Sequence, residues 1–274
     1  MIPAPAVLAA MLYPVWEAAQ VQVTRPVLRL PRLPQALSGL TLGFLSDLHT
    51  ERWGRRERNL MRQLEGLEVD LLLLGGDQGK TVPGNRNALR VVRAIRSRHG
   101  VYGILGNAEH KKHSPTEGIL SFWAANGVTI LRNVGVTLNL RGEMLHLLGV
   151  DDPSQDRDEP CRAAAGLPTD GFRILLSHSP EGVDLLRGLE IDLVLSGHTH
   201  GGQLRIPGLG ALYTHSHRGL SYDMGLFAGE RLLREKPDLW PKTQLYVSRG
   251  VGSAVLPIRF LAPPEVAVIT LEAA

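Results

Sequence analysis

Five apolar runs in this chain each give way at once to a cluster of polar residues. Leu45 leads into Ser46-Asp47-Leu48-His49, and Leu74 into Gly75-Gly76-Asp77. Leu105 leads into Gly106-Asn107-Ala108-Glu109-His110, and Leu176 into Ser177-His178-Ser179-Pro180. Leu195 leads into Ser196-Gly197-His198-Thr199-His200-Gly201-Gly202. Runs as short and apolar as Leu71–Leu74 read as strands buried on both faces. Ligands of open α/β sheets gather beyond the carboxyl ends of strands. The pattern therefore asks for a fold that brings five strand ends to one rim.

Helical spacing fills the gaps. Leu60, Leu64 and Leu67 share one face over residues 55–67, residues 87–98 have the same period, and 115–126 is a helix that Gly127 ends. Strands are expected at Thr41–Leu45, Leu71–Leu74, 101–105, several places between 128 and 150, Phe172–Leu176, 191–195, Gln244–Val247 and 266–271, with a short helix at 181–186. Strands alternating with helices make a layered α/β domain. Residues 1–22 read as an apolar N-terminal segment and 23–274 as one domain.

The apolar run at residues 2–16 is interrupted by Pro3, Pro5 and Pro14. It falls short of the about 20 residues a spanning helix needs. With no basic n-region and no twin arginine it is a poor secretory signal. It reads as a helix that packs on the domain or frays, as a membrane-surface anchor, or as a trimmed export signal. Arg25, Arg29 and Arg32 behind it would suit an anionic lipid surface. The expected location is cytoplasmic, either free or peripheral on the inner membrane.

Composition removes several kinds of site. The single cysteine, Cys161, excludes an internal disulfide framework and a cysteine-based zinc cluster. The 30 basic and 27 acidic side chains leave a formal charge of only +3 with no compact basic block, so no nucleic-acid partner is expected. Ten histidines remain to be placed, beside Asp, Glu and Asn.

Those residue types suit divalent cations. Residues two apart in an extended segment point the same way, so Asp47 with His49, and His198 with His200, can each present two ligands to one side. Asp77 on its glycine turn can bridge two cations, Asn107 offers a carbonyl oxygen and His178 an imidazole. Nitrogen and oxygen donors without thiolate fit Mn²⁺ first, with Zn²⁺ or Fe as alternatives. Two such cations about 3.5–4 Å apart would clamp a phosphate and activate water.

Taken together, Asp47-Leu48-His49, Gly76-Asp77, Gly106-Asn107 with Glu109, His178, and Gly197-His198-Thr199-His200 resemble the calcineurin-like metallophosphoesterases. Residues 197–203, 246–256 and 264–271 resemble the bacterial YkuE-like branch, which includes some UDP-2,3-diacylglucosamine pyrophosphatases. The resemblance implies a four-layer αββα sandwich of two mixed β-sheets flanked by helices. It implies one metal held by Asp47, His49, Asp77 and His200 and a second held by Asp77, Asn107, His178 and His198, with a bridging hydroxide attacking phosphorus in line.

One position departs from the family pattern. Ala108 stands where Gly-Asn-His-Asp or Gly-Asn-His-Glu carries the His assigned as acid for the leaving group. A methyl group neither donates nor accepts a proton, and loss of a general acid costs about 10²–10⁴ in rate. Ala108 reads either as an engineered replacement or as a natural variant. A natural variant would need another acid, such as His110 or His113, or a leaving group that needs none. Asn107 is the neighbouring catalytic candidate.

Further residues are candidates for substrate contact. His215, His217 and Arg218 form a polar loop, and Arg249 sits in Ser248-Arg249-Gly250 after a strand; each reads equally as an ordinary exposed turn. Asp151-Asp152-Pro153 either nears the site or ends a strand. The expected activity is hydrolysis of a phosphodiester or pyrophosphate bond. The substrate would be a phosphorylated small molecule or a lipid-linked nucleotide such as UDP-2,3-diacylglucosamine. The alternatives are a non-catalytic scaffold of the same fold and a nuclease.

Overall fold

Strand alternation builds the molecule. In β4 (Leu71–Leu74) every residue is buried, because Leu71 and Leu73 face one core and Leu72 and Leu74 another. The computed structural model describes the backbone of residues 4–216 and 220–274, with side chains from residue 11 on. His217 and Arg218 lie outside the described residues.

The first sheet joins seven strands: β1 (Gln22–Thr24), β2 (Val27–Leu30), β3 (Thr41–Leu45), β4, β5 (Val101–Gly103), β6 (Val128–Ile130) and the final strand, β13 (Glu265–Ala273). Strands β3 to β6 run parallel, and β13 runs antiparallel to β3 while taking β1 and β2 in parallel along its other edge. The second sheet has six strands: β7 (Val134–Leu140), β8 (Glu143–Gly149), β9 (Phe172–Leu176), β10 (Leu193–Ser196), β11 (Gly225–Phe227) and β12 (Gln244–Val247). Here β8, β9, β10 and β12 are parallel, with β7 and β11 antiparallel at the edges.

Three apolar cores separate four layers. Leu42, Phe44, Leu71 and Leu73 meet Leu145, Phe172, Ile174 and Leu195 between the sheets. The outer face of the first sheet packs on α2 (Arg55–Leu64), α3 (Val82–Val92) and α4 (Thr116–Ala125) through Leu60, Val91 and Trp123. The outer face of the second packs on α5 (Pro160–Ala164) and α6 (Glu230–Glu235) through Ala163 and Leu232. The expected four-layer sandwich is the observed fold.

Three local expectations need correction. The helix expected at 87–98 spans Val82–Val92, since Thr81 caps it by accepting from the Gly84 N–H (3.1 Å) and Pro83 is tolerated in a first turn. Arg96-Ser97 instead pairs in parallel with Glu68-Val69. The helix over 55–67 stops at Leu64, and the helix at 181–186 is a 3₁₀ turn, Pro180–Leu185. The N-terminal run forms α1 (Ala4–Glu17), whose end docks: the Glu17 carboxylate accepts from the N–H groups of Leu261 (3.1 Å) and Ala262 (2.8 Å). Among the described residues no helix is long and apolar enough to cross a membrane.

Candidate metal centre

The loops after β3, β4, β5, β9 and β10 converge on one rim, carrying Asp47, Asp77, Asn107, His178 and His198. The sequence pattern predicts an extended backbone there, and the structure corrects this. Asp47 (φ 53°), His49 (φ 46°), Asp77 (φ 54°), His198 (φ 68°) and His200 (φ 51°) are all left-handed. Asp and His are among the residues that tolerate this region best, and such strain gathers at ligand sites. The curled chain also sends His198 and His200 different ways. His198 faces His178, with Nδ1 3.2 Å from its Nε2, while His200 Nε2 lies 3.6 Å from Asp47 Oδ1.

Two groups of donors result. One atom each from Asp47, His49 and His200 lie within 4.8 Å of one another, and so do atoms of Asp47, Asp77 and His178. Asp77 spans the two groups, with Oδ2 3.5 Å from His49 Nε2 and Oδ1 3.5 Å from His178 Nε2. Asn107 Oδ1 stands 3.2 Å from the same His178 nitrogen. The seven side chains therefore share one place. The buried Asp47 Oδ1 has no hydrogen-bond partner, an arrangement costly unless a cation completes it.

Backbone carbonyls orient two of the rings. His178 Nδ1–H donates to Gly75 O (2.8 Å), which turns Nε2 to the cluster. His198 Nε2–H donates to His215 O (3.2 Å), which leaves Nδ1 for it. The carboxylate of Glu109 ties the loops together by accepting from the N–H groups of Gly106 (2.9 Å), Asp77 (3.1 Å), Gln78 (2.7 Å) and Gly79 (3.2 Å). A side chain at Gly106 would force the site to shift, because a Cβ there would stand 2.7 Å from the Asp77 nitrogen and 2.8 Å from His178 Cε1.

The electrostatics suit cations. Burial lowers His49 to about 4 and His198 to about 4, and pulls His200 well below its usual value. All three are neutral imidazoles at pH 7, the form that binds metals. Burial resists ionisation of Asp47, yet His200, His178 and His49 beside it, with the Ser46 hydroxyl (2.6 Å), hold it well below the usual carboxylate range. Burial pushes Asp77 up to about 6, and pushes Glu109 up to about 7 with Asp77 adding to it. His178 rises to about 9 because Asp77 and Asp47 outweigh its burial. The cluster thus concentrates negative charge that it balances by taking up a proton, where a bound cation would serve instead.

A cleft of about 330 Å³ opens over His49, Asp77, Asn107, His198 and His200. Lys80, Lys111 and Glu51 also line it, with Ser253, Ala254 and Val255. Ser253, Ala254 and Val255 fall in the 246–256 segment that carries the branch resemblance, whereas nothing in the spacing of Glu51, Lys80 and Lys111 marks them as site residues; the loops carry them there. The residue beside Asn107, Ala108, is wholly buried, and its N–H donates to Asp77 Oδ1 (2.6 Å).

The other candidates divide. His215 lines the cleft, its ring 6.1 Å from that of His198 and 6.2 Å from that of His200. His110 does not line it: the side chain is buried, with Nε2 2.5 Å from Asp151 Oδ1. Asp151 also takes the Nε–H of the exposed Arg132 (2.6 Å), so its place after β8 serves these two contacts. Arg249 lies off the cleft as well, Nε 3.3 Å from Glu265 Oε2.

Residues 40–202 match the family model described as calcineurin-like phosphoesterase. The chain is 28% identical over 262 residues to the uncharacterized metallophosphoesterase YkuE of Bacillus subtilis, covering 93% of this chain and 87% of that one. It is 30% identical to an uncharacterized metallophosphoesterase of Aquifex aeolicus, covering 83% of each. It is also 30% identical to the phosphodiesterase YaeI of Escherichia coli, covering 83% of this chain and 80% of the relative. The family model spans more than half of the chain and the candidate donor clusters lie within it, so this chain belongs to the metal-dependent calcineurin-like phosphoesterases.

Proposed function

We propose that the protein hydrolyses a phosphodiester or pyrophosphate bond with two divalent cations, Mn²⁺ before Zn²⁺ or Fe. The observation that carries this is the buried Asp47 Oδ1, which lacks a hydrogen bond although Asp47 belongs to both donor groups formed with His49 and His200 and with Asp77 and His178. In this reading Asp47, His49, Asp77 and His200 hold one cation, and Asp77, Asn107, His178 and His198 the other. When bound, the cations supply charge neutralisation at the phosphoryl oxygens and activation of water. Lys80 and Lys111, on the cleft wall, add positive charge for an anionic substrate. With Ala108 at the acid position and His110 turned to Asp151, the chain favours a leaving group that needs no proton, such as a phosphate or nucleotide.

A lipid-linked nucleotide such as UDP-2,3-diacylglucosamine is the substrate class favoured here. Its support is a groove of about 650 Å³, walled by Leu12, Val15, Trp16, Ala18 and Ala19, which meets the cleft at His49, Glu51 and Ser253. Leu12 and Trp16 are exposed, so the same side can meet a lipid surface.

The test is turnover of bis-p-nitrophenyl phosphate with Mn²⁺, with and without chelator, by the chain as it stands and by Ala108→His. Metal-dependent turnover is expected from both, with the His form faster by about 10²–10⁴ on poor leaving groups. Silence of both on every phosphoester tried sinks the enzyme reading and leaves the scaffold. Equal turnover of an acylated substrate and its deacylated form counts against the lipid-linked class alone.

A further inference from the structure

Arg259 is wholly buried, and among the described residues no carboxylate comes within ion-pair distance of it. A buried cation is costly unless every N–H finds an acceptor. Backbone carbonyls do this for Arg259. Nη1–H donates to Ala262 O (2.8 Å) and His200 O (3.3 Å), and Nη2–H to Arg249 O (2.8 Å), Gly250 O (3.1 Å) and the Gly252 carbonyl. Nε–H also reaches Gly252 O (3.0 Å), and Nη2 lies 3.3 Å from His200 Nδ1.

All of these acceptors but Ala262 O lie on two segments that back one half of the centre. In the first segment the Gly252 N–H donates to Asp47 O (2.5 Å) and the Val251 N–H to Ser46 O (3.1 Å). A Cβ on Gly250 would stand 2.7 Å from Asp47 Cβ, and one on Gly252 2.9 Å from His49 Cβ. The second segment is His200 itself. The guanidinium therefore sits behind Asp47, His49 and His200. None of its hydrogen bonds reaches the loops carrying Asp77, Asn107 or His178.

We propose that Arg259 is a positioning residue for one cation position only, the one formed by Asp47, His49 and His200. Its planar fork spans carbonyls on separate segments at once; a lysine ammonium, with three donors on one point, cannot. The proposal rests on the two-cation reading above.

The test titrates the full chain, freed of metal, with Mn²⁺ alone, followed by calorimetry and by electron paramagnetic resonance. The unaltered protein should bind two ions and show a spin-coupled pair. Arg259→Lys should keep one affinity and weaken the other about 10–100-fold, the range for residues that support ligands from behind. An isolated-ion spectrum should replace the coupled one. Asn107→Ala should weaken the opposite position, so that the double variant loses both. Should Arg259→Lys fail to fold, Gly250→Ala presses a methyl on Asp47 and should show the same one-sided loss. A purely structural arginine would lower both affinities together, or neither, and either result overturns the proposal. If the unaltered protein binds no Mn²⁺ pair, the two-cation reading is what fails.

Discussion

At the residue scale the centre holds together by close approach. Gly106→Ala keeps every ligand yet drives a methyl against the Asp77 loop and His178. The variant should fold with Mn²⁺ affinity lowered at least about tenfold, as for other changes behind ligands, which a direct titration would read. Affinity equal to that of the parent would show that the loops yield. Asp151 makes a prediction about acid. Burial opposes its ionisation, but the hydrogen bonds from His110 and Arg132 outweigh it and draw the carboxyl down to about 2. A depressed folded pKa gives stability that is present above the ordinary Asp value of about 4 and lost as pH falls toward 2. The stability gap between the parent and Asp151→Asn in urea should therefore be full at pH 5 and shrink toward pH 2. A gap independent of pH would remove the ion-pair account. Sequence spacing brought out Asp47, His49, Asp77, Asn107, His178, His198 and His200 because each directly follows an apolar strand. It left Lys80, Lys111 and Arg259 unmarked, since their neighbours in the chain say nothing about which cleft or carbonyl they meet.

At the scale of elements, strands were easier to read than helix ends. Four leucines in a row admit few alternatives, and β4 runs as expected. Helix α3 begins five residues before its apparent period, because Pro83 and Gly84 look like breakers although Thr81 caps them into a first turn. Helices α3 and α4 are then joined by a buried bond, in which Trp123 Nε1–H donates to Asn85 Oδ1 (2.8 Å). Asn85 in turn donates to Gly79 O (2.7 Å) and Thr81 O (2.9 Å), at the start of that helix. Trp123→Phe leaves the Asn85 oxygen buried without its donor and should cost about 1–3 kcal/mol in urea unfolding. A loss no larger than that of a surface substitution would mean that the ring alone matters.

At the scale of the whole molecule, the two-cation reading links cation binding to folding. The candidate ligands come from five loops along the chain, so the unfolded state has no comparable site. Mn²⁺ at a hundred times its dissociation constant should add about 2.7 kcal/mol to unfolding for each site filled. Thermal unfolding with Mn²⁺, and again after chelator, reads this directly; a midpoint indifferent to both would deny a binding site formed by folding. The family and the candidate ligands were legible in the linear order, because strand periodicity and strand-end chemistry are local properties. Convergence was not local. Which imidazole nitrogen faces inward depends on carbonyls of Gly75 and His215, far off in the chain, and the left-handed turns at Asp47 and His198 are sustained by their surroundings. The apolar groove beside the cleft likewise exists only because α1 packs where Glu17 meets the backbone of residues 261–262. Side-chain type is written residue by residue, whereas distance, tautomer and burial arise when separate segments exclude water from one another.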